Sequence, residues 1–180
     1  MKSWMVVVGV AVLAAPVTSK AEGIGIRAGL ESPLYTHVSQ NGQSASFSIG
    51  DTFQPAINVL LEYYLNSFIA LGLEFREGFL ATGSGTLSGC VGNNCSYQRT
   101  GTYLGPNLTL DFGPLPVFAR AALPFHLEPS PFHMDFRAAG GLKFLIFYLE
   151  VLADFPLAGS GVSAFSSQQF GIGAGIWFKL

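Results

Sequence analysis

Charged residues are scarce in this chain of 180 residues. Lys, Arg, Asp and Glu make up 11% of it, against roughly 25% in ordinary soluble domains, and the mean hydropathy is +0.43. Long apolar runs are also missing. The most apolar stretch beyond the N-terminus, 142–152, is interrupted by Lys143 and Glu150, so nothing there approaches the length of a spanning helix. These absences exclude both an ordinary soluble domain and a helical membrane protein.

Positive charge is in short supply as well. From residue 22 onward, seven Lys/Arg stand against eleven Asp/Glu, a formal net charge of −4. Nucleic-acid-binding surfaces depend on clustered Lys and Arg, so we expect no nucleic-acid partner. The glycines at 171, 173 and 175 are followed by no helix and do not form a dinucleotide loop. We expect no cofactor.

The first residues carry an export signal. Lys2 precedes an apolar core at 4–17, and Ser19, Lys20 and Ala21 supply a small-x-small cleavage pattern. The core is too short for a spanning helix, and no lipoprotein cysteine stands at the cleavage site. We predict a signal peptide at 1–21 and one domain at 22–180. An uncleaved membrane anchor is the alternative.

An exported apolar chain without a spanning helix needs another way to cover its hydrophobic surface. A closed β-barrel is the other structure that satisfies every backbone polar group in lipid. Apolar residues at every second position indicate eight strands, at 23–35, 55–65, 69–79, 97–112, 117–127, 132–142, 146–155 and 170–180. The predicted fold is all-β, an eight-stranded antiparallel transmembrane up-and-down β-barrel.

The last segment shows this alternation over its whole length. Side chains alternate between the two faces of a strand, and one face here is wholly apolar. That face consists of Phe170, Ile172, Ala174, Ile176, Phe178 and Leu180. Pro106 and Pro124 lie inside other predicted strands, where a missing N–H disrupts pairing, so we expect a bulge or local distortion at each.

The lengths of the connections set the orientation. Those after strands two, four and six are short, and those after strands one, three, five and seven are mostly longer, at about 36–54, 80–96, 128–131 and 156–168. Short turns face the periplasm in outer-membrane barrels, which places both chain ends there. Outward aromatic residues then form two interfacial belts. They are Tyr63, Phe112, Phe147 and Phe178 at one end, and Phe75, Phe125, Phe136, Phe155 and Phe170 at the other.

Charged side chains fall on the face opposite the apolar one. A soluble barrel inverts this order, so lipid outside and charge inside is the simpler account. The predicted interior charge network comprises Arg27, Glu62, Glu74, Arg76, Asp111, Arg120, Arg137, Glu150 and Asp154. Its role is structural, because an unpaired buried charge is costly and paired charges fill the lumen. A proton or ion path is the alternative.

Two pairings inside this network follow from the predicted turns. Arg120 should face Thr109 and neighbour Asp111. Across a turn at 143–146, Arg137 should face Leu152, with the carboxylates at 150 and 154 as its diagonal neighbours.

The architecture and the terminal strand resemble the small eight-stranded outer-membrane barrels of the OmpA/OmpX-like class, over the whole mature chain. The resemblance implies a bacterial outer-membrane location, contact with lipid and lipopolysaccharide, insertion by the barrel assembly machinery, and a monomer. Members typically end in Phe, which forms part of the assembly signal, whereas this chain ends in Leu180. Side chains normally fill barrels of eight strands, so a general porin is not expected and a narrow pore is the alternative.

A possible site of chemistry lies at the outer rim, in the cluster of His126, Glu128, His133 and Asp135. Two imidazoles and two carboxylates suit a divalent metal, or an acid and a base beside Ser130. Outer-membrane lipid A deacylases are eight-stranded barrels with a His/Ser/Glu set, but we expect no His-x-Ser pair on a strand of this chain. We interpret the cluster as rim residues with ordinary hydrogen bonds, and expect neither a metal nor a catalytic role.

Cys90 and Cys95 are the two cysteines, and they bracket four residues in the third connection. In an exported protein such a pair indicates a disulfide, here one that pins the tip of a loop. The predicted function is a non-catalytic outer-membrane protein with a structural or surface-interaction role carried by its loops. The alternatives are a lipid A-modifying enzyme that uses the rim cluster, and a narrow pore.

Overall fold

The computed structural model describes residues 23–40, 43–48, 55–78, 101–113, 115–128, 133–159 and 167–180. Within these ranges no helix is long and apolar enough to cross a membrane. The strands are β1 (Gly23–Gln40), β2 (Gln43–Ser48), β3 (Ala56–Tyr64), β4 (Ile69–Gly78), β5 (Gly101–Asp111), β6 (Val117–Ala122), β7 (Phe125–Glu128), β8 (His133–Phe144), β9 (Phe147–Gly159) and β10 (Ser167–Lys179).

The sheet closes on itself between β1 and β10, from Gly25 opposite Lys179 to Val38 opposite Ser167. Around the ring the order is β1, β3, β4, β5, β6 with β7, β8, β9 and β10, and neighbours are antiparallel. β6 and β7 share one position because both pair with β5 and β8. The fold is a closed eight-stranded up-and-down β-barrel, which confirms the prediction.

The two faces of the wall follow the period-two pattern. In β3, Asn58, Glu62 and Tyr64 are buried inside the barrel, whereas Leu61 and Tyr63 are exposed on the outside. The same order holds in β10, where the outward residues are those of the predicted apolar face. An apolar outer wall around a polar interior is the reverse of a water-soluble barrel.

The prolines account for the break between β6 and β7. The Leu123 N–H donates to the Pro106 carbonyl at 3.0 Å, and the Asp135 N–H donates to the Pro124 carbonyl at 3.0 Å. Neither proline has an N–H to return the second bond of its pair. The distortion expected at Pro124 is confirmed. A local distortion is found at Pro106 as well: β5 keeps regular pairing with Leu73 of β4 there, but its ladder with β6 and β7 is interrupted opposite Leu123 and Pro124.

Strand β1 is longer than predicted and pairs with β2 in a hairpin beyond the barrel wall, so the first connection starts after residue 40 rather than at 36. A register shift between Pro33 and Tyr35 exchanges the two faces of β1. Glu31 points inward before it and Thr36 after it, and Tyr35 is exposed. A bulge of this kind inserts a residue that the alternation of a single strand does not reveal.

The turn between β8 and β9 is tighter than predicted. Phe144 lies opposite Phe147, which leaves only Leu145 and Ile146 in the turn, and Leu145 has a φ of 55°. The register therefore differs from the predicted one by two residues. Arg137 faces Asp154 directly, so the expected pairing with Leu152 was wrong. A shift of two keeps every side chain on its predicted face.

We call the end of the barrel that holds Gly23, Leu180 and the turns at 65–68, 112–113, 115–116 and 145–146 the terminal end. The opposite end, where β1 and β2 form their hairpin, is the loop end.

Candidate functional site: the charged interior

All nine residues of the predicted interior network are buried. Their positions come from inward-facing alternate sites on β1, β3, β4, β5, β6, β8 and β9. Asp111 lies apart from the others, at the terminal end, in an ion pair with Lys143. The remaining eight divide into a central cluster and a group around Arg27.

Arg137 is the hub of the central cluster and is fully buried. Its Nε and Nη2 donate to the two carboxylate oxygens of Asp154 at 2.7 and 3.0 Å. Its Nη1 and Nη2 also donate to Glu31 at 2.9 and 3.0 Å, and Nη1 donates to Glu74 at 2.5 Å. One guanidinium thus joins three carboxylates from three strands. Bidentate pairing of this kind is the strong form of the charge-assisted hydrogen bond.

Arg120 extends the cluster towards the terminal end. Its Nε and Nη2 donate to Glu150 at 2.9 and 2.7 Å, and its Nη1 donates to Glu74 at 2.6 Å. Glu74 therefore lies between Arg120 and Arg137. As predicted, Arg120 lies opposite Thr109 in the β5–β6 register. Arg76 completes the cluster through an ion pair with Glu31.

Arg27 forms a second group nearer the terminal end. It donates through Nε and Nη2 to Glu62, at 3.1 Å each, and through Nη2 to the Thr109 hydroxyl at 3.3 Å. Its guanidinium carbon lies 3.4 Å from the centre of the Trp177 ring and 4.5 Å from that of Phe118. Arg27 therefore joins a carboxylate to an aromatic cluster, with cation–π contact on its face.

The aromatic cluster fills the lumen towards the terminal end. It comprises the rings of Tyr64, Phe118, Tyr148 and Trp177, which cluster with Ala70, and all five residues are buried. Phe118 meets Trp177 edge to face at 5.3 Å and Tyr148 at 6.2 Å. Together the charged clusters and these rings occupy the interior along much of its length. This is the packing expected of an eight-stranded barrel.

Four residues that belong to the network were not included in the network predicted from the sequence. Glu31 lies on the same face of β1 as Arg27, and one of its partners, Arg137, lies 106 residues away. Asn58 donates to both Glu31 and Glu74, at 3.2 and 2.6 Å. Asn107 and Thr109 both donate to Glu62. The alternation of each strand places all four on the inward face. The partners of Asn58 lie on the adjacent strands β1 and β4, whereas Glu31 meets Arg137, and Asn107 and Thr109 meet Glu62, between strands that are not neighbours in the sheet.

Two of the four rim-cluster side chains, those of His126 and Asp135, lie in the described part of the structure. His126 and Asp135 are buried on the inward face near the loop end, and the His126 ring lies 4.5 Å from that of Tyr103. Glu128 ends β7 and His133 begins β8, but their side chains lie outside the described part of the structure. Among the described residues, no group of three or more His, Cys, Asp or Glu side chains is placed to hold a metal.

A different Ser–His contact lies on the β1–β2 hairpin. The Ser46 Oγ is 2.9 Å from His37 Nδ1 and accepts a hydrogen bond from the Tyr35 hydroxyl at 3.0 Å. His37 and Ser39 also form a His-x-Ser pair within β1, contrary to the expectation that no such pair lies on a strand. That expectation failed because β1 extends beyond its predicted end. Cys90 and Cys95 lie outside the described residues, and their disulfide stays a prediction.

These features define a class of protein: a small eight-stranded up-and-down barrel with a paired charged interior and an apolar outer wall, the order of side chains found in membrane barrels. A scan against protein-family models gives no match, and neither does a search of curated proteins. Among solved structures, the chain is similar to Neisserial surface protein A, with a TM-score of 0.46 and 13% identity, covering 90% of this chain and 100% of that one. At that level the likeness adds nothing to what the strand pairing itself shows.

Proposed function

We propose that the protein is a monomeric barrel of the bacterial outer membrane with a non-catalytic role, either structural or in surface interaction through its loops. One observation carries the proposal. Buried charges pair across the interior, while large apolar side chains such as Leu30, Leu61 and Val151 are exposed on the outside. Soluble monomers rarely expose so large an apolar surface to water, whereas the lipid-facing wall of a membrane barrel is apolar.

The two ends of the chain support this location. The predicted signal peptide at 1–21 would deliver the chain to the periplasm. The last strand, β10, then closes the barrel against β1, and its outward face is apolar from Phe170 to Leu180. We infer that lipid and lipopolysaccharide surround the wall and that the barrel assembly machinery inserts it.

Fractionation of cells that produce the full chain tests the location. The mature protein should sediment with the outer membrane and need detergent for extraction. It should also migrate faster in unheated than in heated denaturing gels, because the closed barrel resists detergent. A processed protein that stays in solution without detergent would remove the proposal.

The filled interior predicts that the barrel does not conduct ions. The Arg27 group and the aromatic cluster occupy the lumen towards the terminal end, and Arg120 and Arg137 occupy its middle. In planar bilayers, the purified protein should therefore give no stepwise currents above the lipid baseline. A large porin studied in the same bilayers is the positive control. Reproducible unit conductance would replace the sealed barrel with the narrow pore.

The enzyme alternative now has two places to test. One is the rim pair of His126 and His133, and the other is the hairpin, where Ser46 contacts His37. A serine beside an imidazole is the minimal arrangement for an activated nucleophile. The variants His126→Ala/His133→Ala and Ser46→Ala should leave lipopolysaccharide acylation in purified membranes the same as in the wild type. Expression of the wild type should also leave it the same as in an empty strain. If expression of the wild type changes lipopolysaccharide acylation and either variant abolishes that change, the protein is an enzyme.

A further inference from the structure

The terminal end of the barrel carries a ring of exposed apolar side chains on its turns. Leu145 is 83% exposed, Phe144 74% and Leu115 58%. Phe68 and Leu180 are exposed at the same end. We call this set, with Phe112, Ile146 and Phe147, the terminal apolar ring. Turns that project into water are normally polar, so these are unusual.

The backbone at Leu145 makes an apolar residue there more unusual. Its φ of 55° lies in the left-handed region, where two-residue hairpin turns strongly prefer Asn, Asp or Gly. The side chain gains little from packing in return, since most of it is exposed. The two-residue turn imposes this φ on Leu145, and the protein itself covers little of the side chain there, so an apolar residue at this position is not explained by packing within the barrel.

The ring runs around the circumference instead of covering one side. Its members lie on the β3–β4, β5–β6 and β8–β9 turns, and Leu180 lies at the seam between β10 and β1. The rings of Phe68 and Phe112 meet edge to face at 5.1 Å, which joins two of the turns. A partner protein would contact one sector of such a ring. A surrounding lipid layer contacts all of it.

Charged residues are absent from the turns at this end of the barrel. The turns at 65–68, 112–116 and 144–147 contain no charged residue. The nearest lysine, Lys143, pairs with Asp111, and its Nζ lies 5.5 Å from the centre of the buried Trp177 ring. Lys179 places its Nζ 4.0 Å from the centre of the Tyr64 ring. Both cations are therefore engaged by side chains of the barrel.

We propose that the terminal apolar ring is a lipid-binding surface that inserts into the periplasmic leaflet of the membrane, at the boundary between phospholipid headgroups and acyl chains. The ring continues the apolar outer wall, since Phe144 and Phe147 face outward directly opposite each other. Its turns would thus lie within the leaflet and not in the periplasm. This inference rests on the proposed membrane location, and it names phospholipid as the partner of this end.

Spin-label accessibility in phospholipid vesicles tests the depth of the turn. Single nitroxides would be attached at Leu145→Cys and, as a second site in the same turn, at Ile146→Cys, both in a Cys90→Ser/Cys95→Ser background. Val151→Cys on the outer wall is the lipid control, and Ser46→Cys on the hairpin is the water control. Folding of each variant is checked by its gel mobility before and after heating.

Labels at 145 and 146 should collide more with oxygen than with a water-soluble nickel chelate, at a depth between those of the two controls. If they match position 46 while position 151 reports lipid, the ring does not insert, although the membrane location stands. If position 151 also reports water, the membrane location fails with it. Dipolar broadening between labels on separate copies would show that the ring contacts a second copy instead, and would overturn the proposal.

Discussion

Replacing Arg137 with glutamine should destabilise the barrel by about 3–5 kcal/mol, the range for breaking a buried ion pair by removing one partner. Asp154 would lose two hydrogen bonds, Glu31 two and Glu74 one. These carboxylates would stay inside the wall, where water cannot replace the lost guanidinium. The free energy of unfolding can be measured by urea titration of the protein in lipid vesicles, with the heat-dependent gel shift as the readout.

Lys143→Gln is the matched control for this substitution. It removes a cation from an ion pair too, with Asp111, but one at the terminal end that is only partly buried. Lys143 keeps 23% of its side chain exposed and pairs with one carboxylate instead of three, so the loss should be smaller than for Arg137→Gln. The double variant Arg137→Gln/Asp154→Asn should be less destabilised than the sum of its two single variants, because the two side chains interact directly. A loss below about 1 kcal/mol for Arg137→Gln would contradict the hub role.

Placing arginine at Val151 should cost about 2–4 kcal/mol, the range for a cation on the lipid face near the bilayer midplane. Val151 is 65% exposed on the outer wall. It lies opposite Gly140 on β8 and Ile172 on β10, well inside the paired length of β9. The substitution removes little internal packing, so the expected loss comes from the surroundings of the barrel. The same urea titration in vesicles measures it.

Gln168→Arg is the control that separates lipid depth from the chemistry of arginine. Gln168 is exposed on β10 and pairs with His37 near the loop end, where the cost of a cation falls to about 0–1 kcal/mol. The difference between the two variants should shrink when the barrel is transferred to a small, flexible detergent micelle. Equal costs in vesicles would contradict a membrane boundary around the outer wall.

The composition of the interior was largely predictable because parity along a strand is a local property. Glu62 and Glu74 had to face the side opposite to that of their apolar neighbours along the strand, whatever the rest of the chain did. The partners were less predictable. Arg137 lies opposite Asp154 rather than Leu152 because the β8–β9 turn uses two residues, with Leu145 in the left-handed region. Sequence rules predict such a turn where Asn, Asp or Gly occurs, and not where Leu occurs.

The contacts across the lumen required the closed fold. Glu31 meets Arg137 from β1 to β8, and Arg27 meets Trp177 from β1 to β10, although the chain between each pair is long. The extension of β1 and its change of face after Pro33 also depend on pairing with β2 and β10. A bulge leaves only a weak trace in one strand, because it is defined by the residue opposite.

Strand number, the two faces of the wall and the sorting of charge to the inside were properties of the amino-acid sequence itself, since period-two alternation needs only neighbours along one strand. Register, ion-pair partners and the stacking of Arg27 on Trp177 were decided by the tertiary structure. Those features depend on turn geometry and on the closure of β1 against β10, which brings residues far apart in the chain within hydrogen-bonding distance.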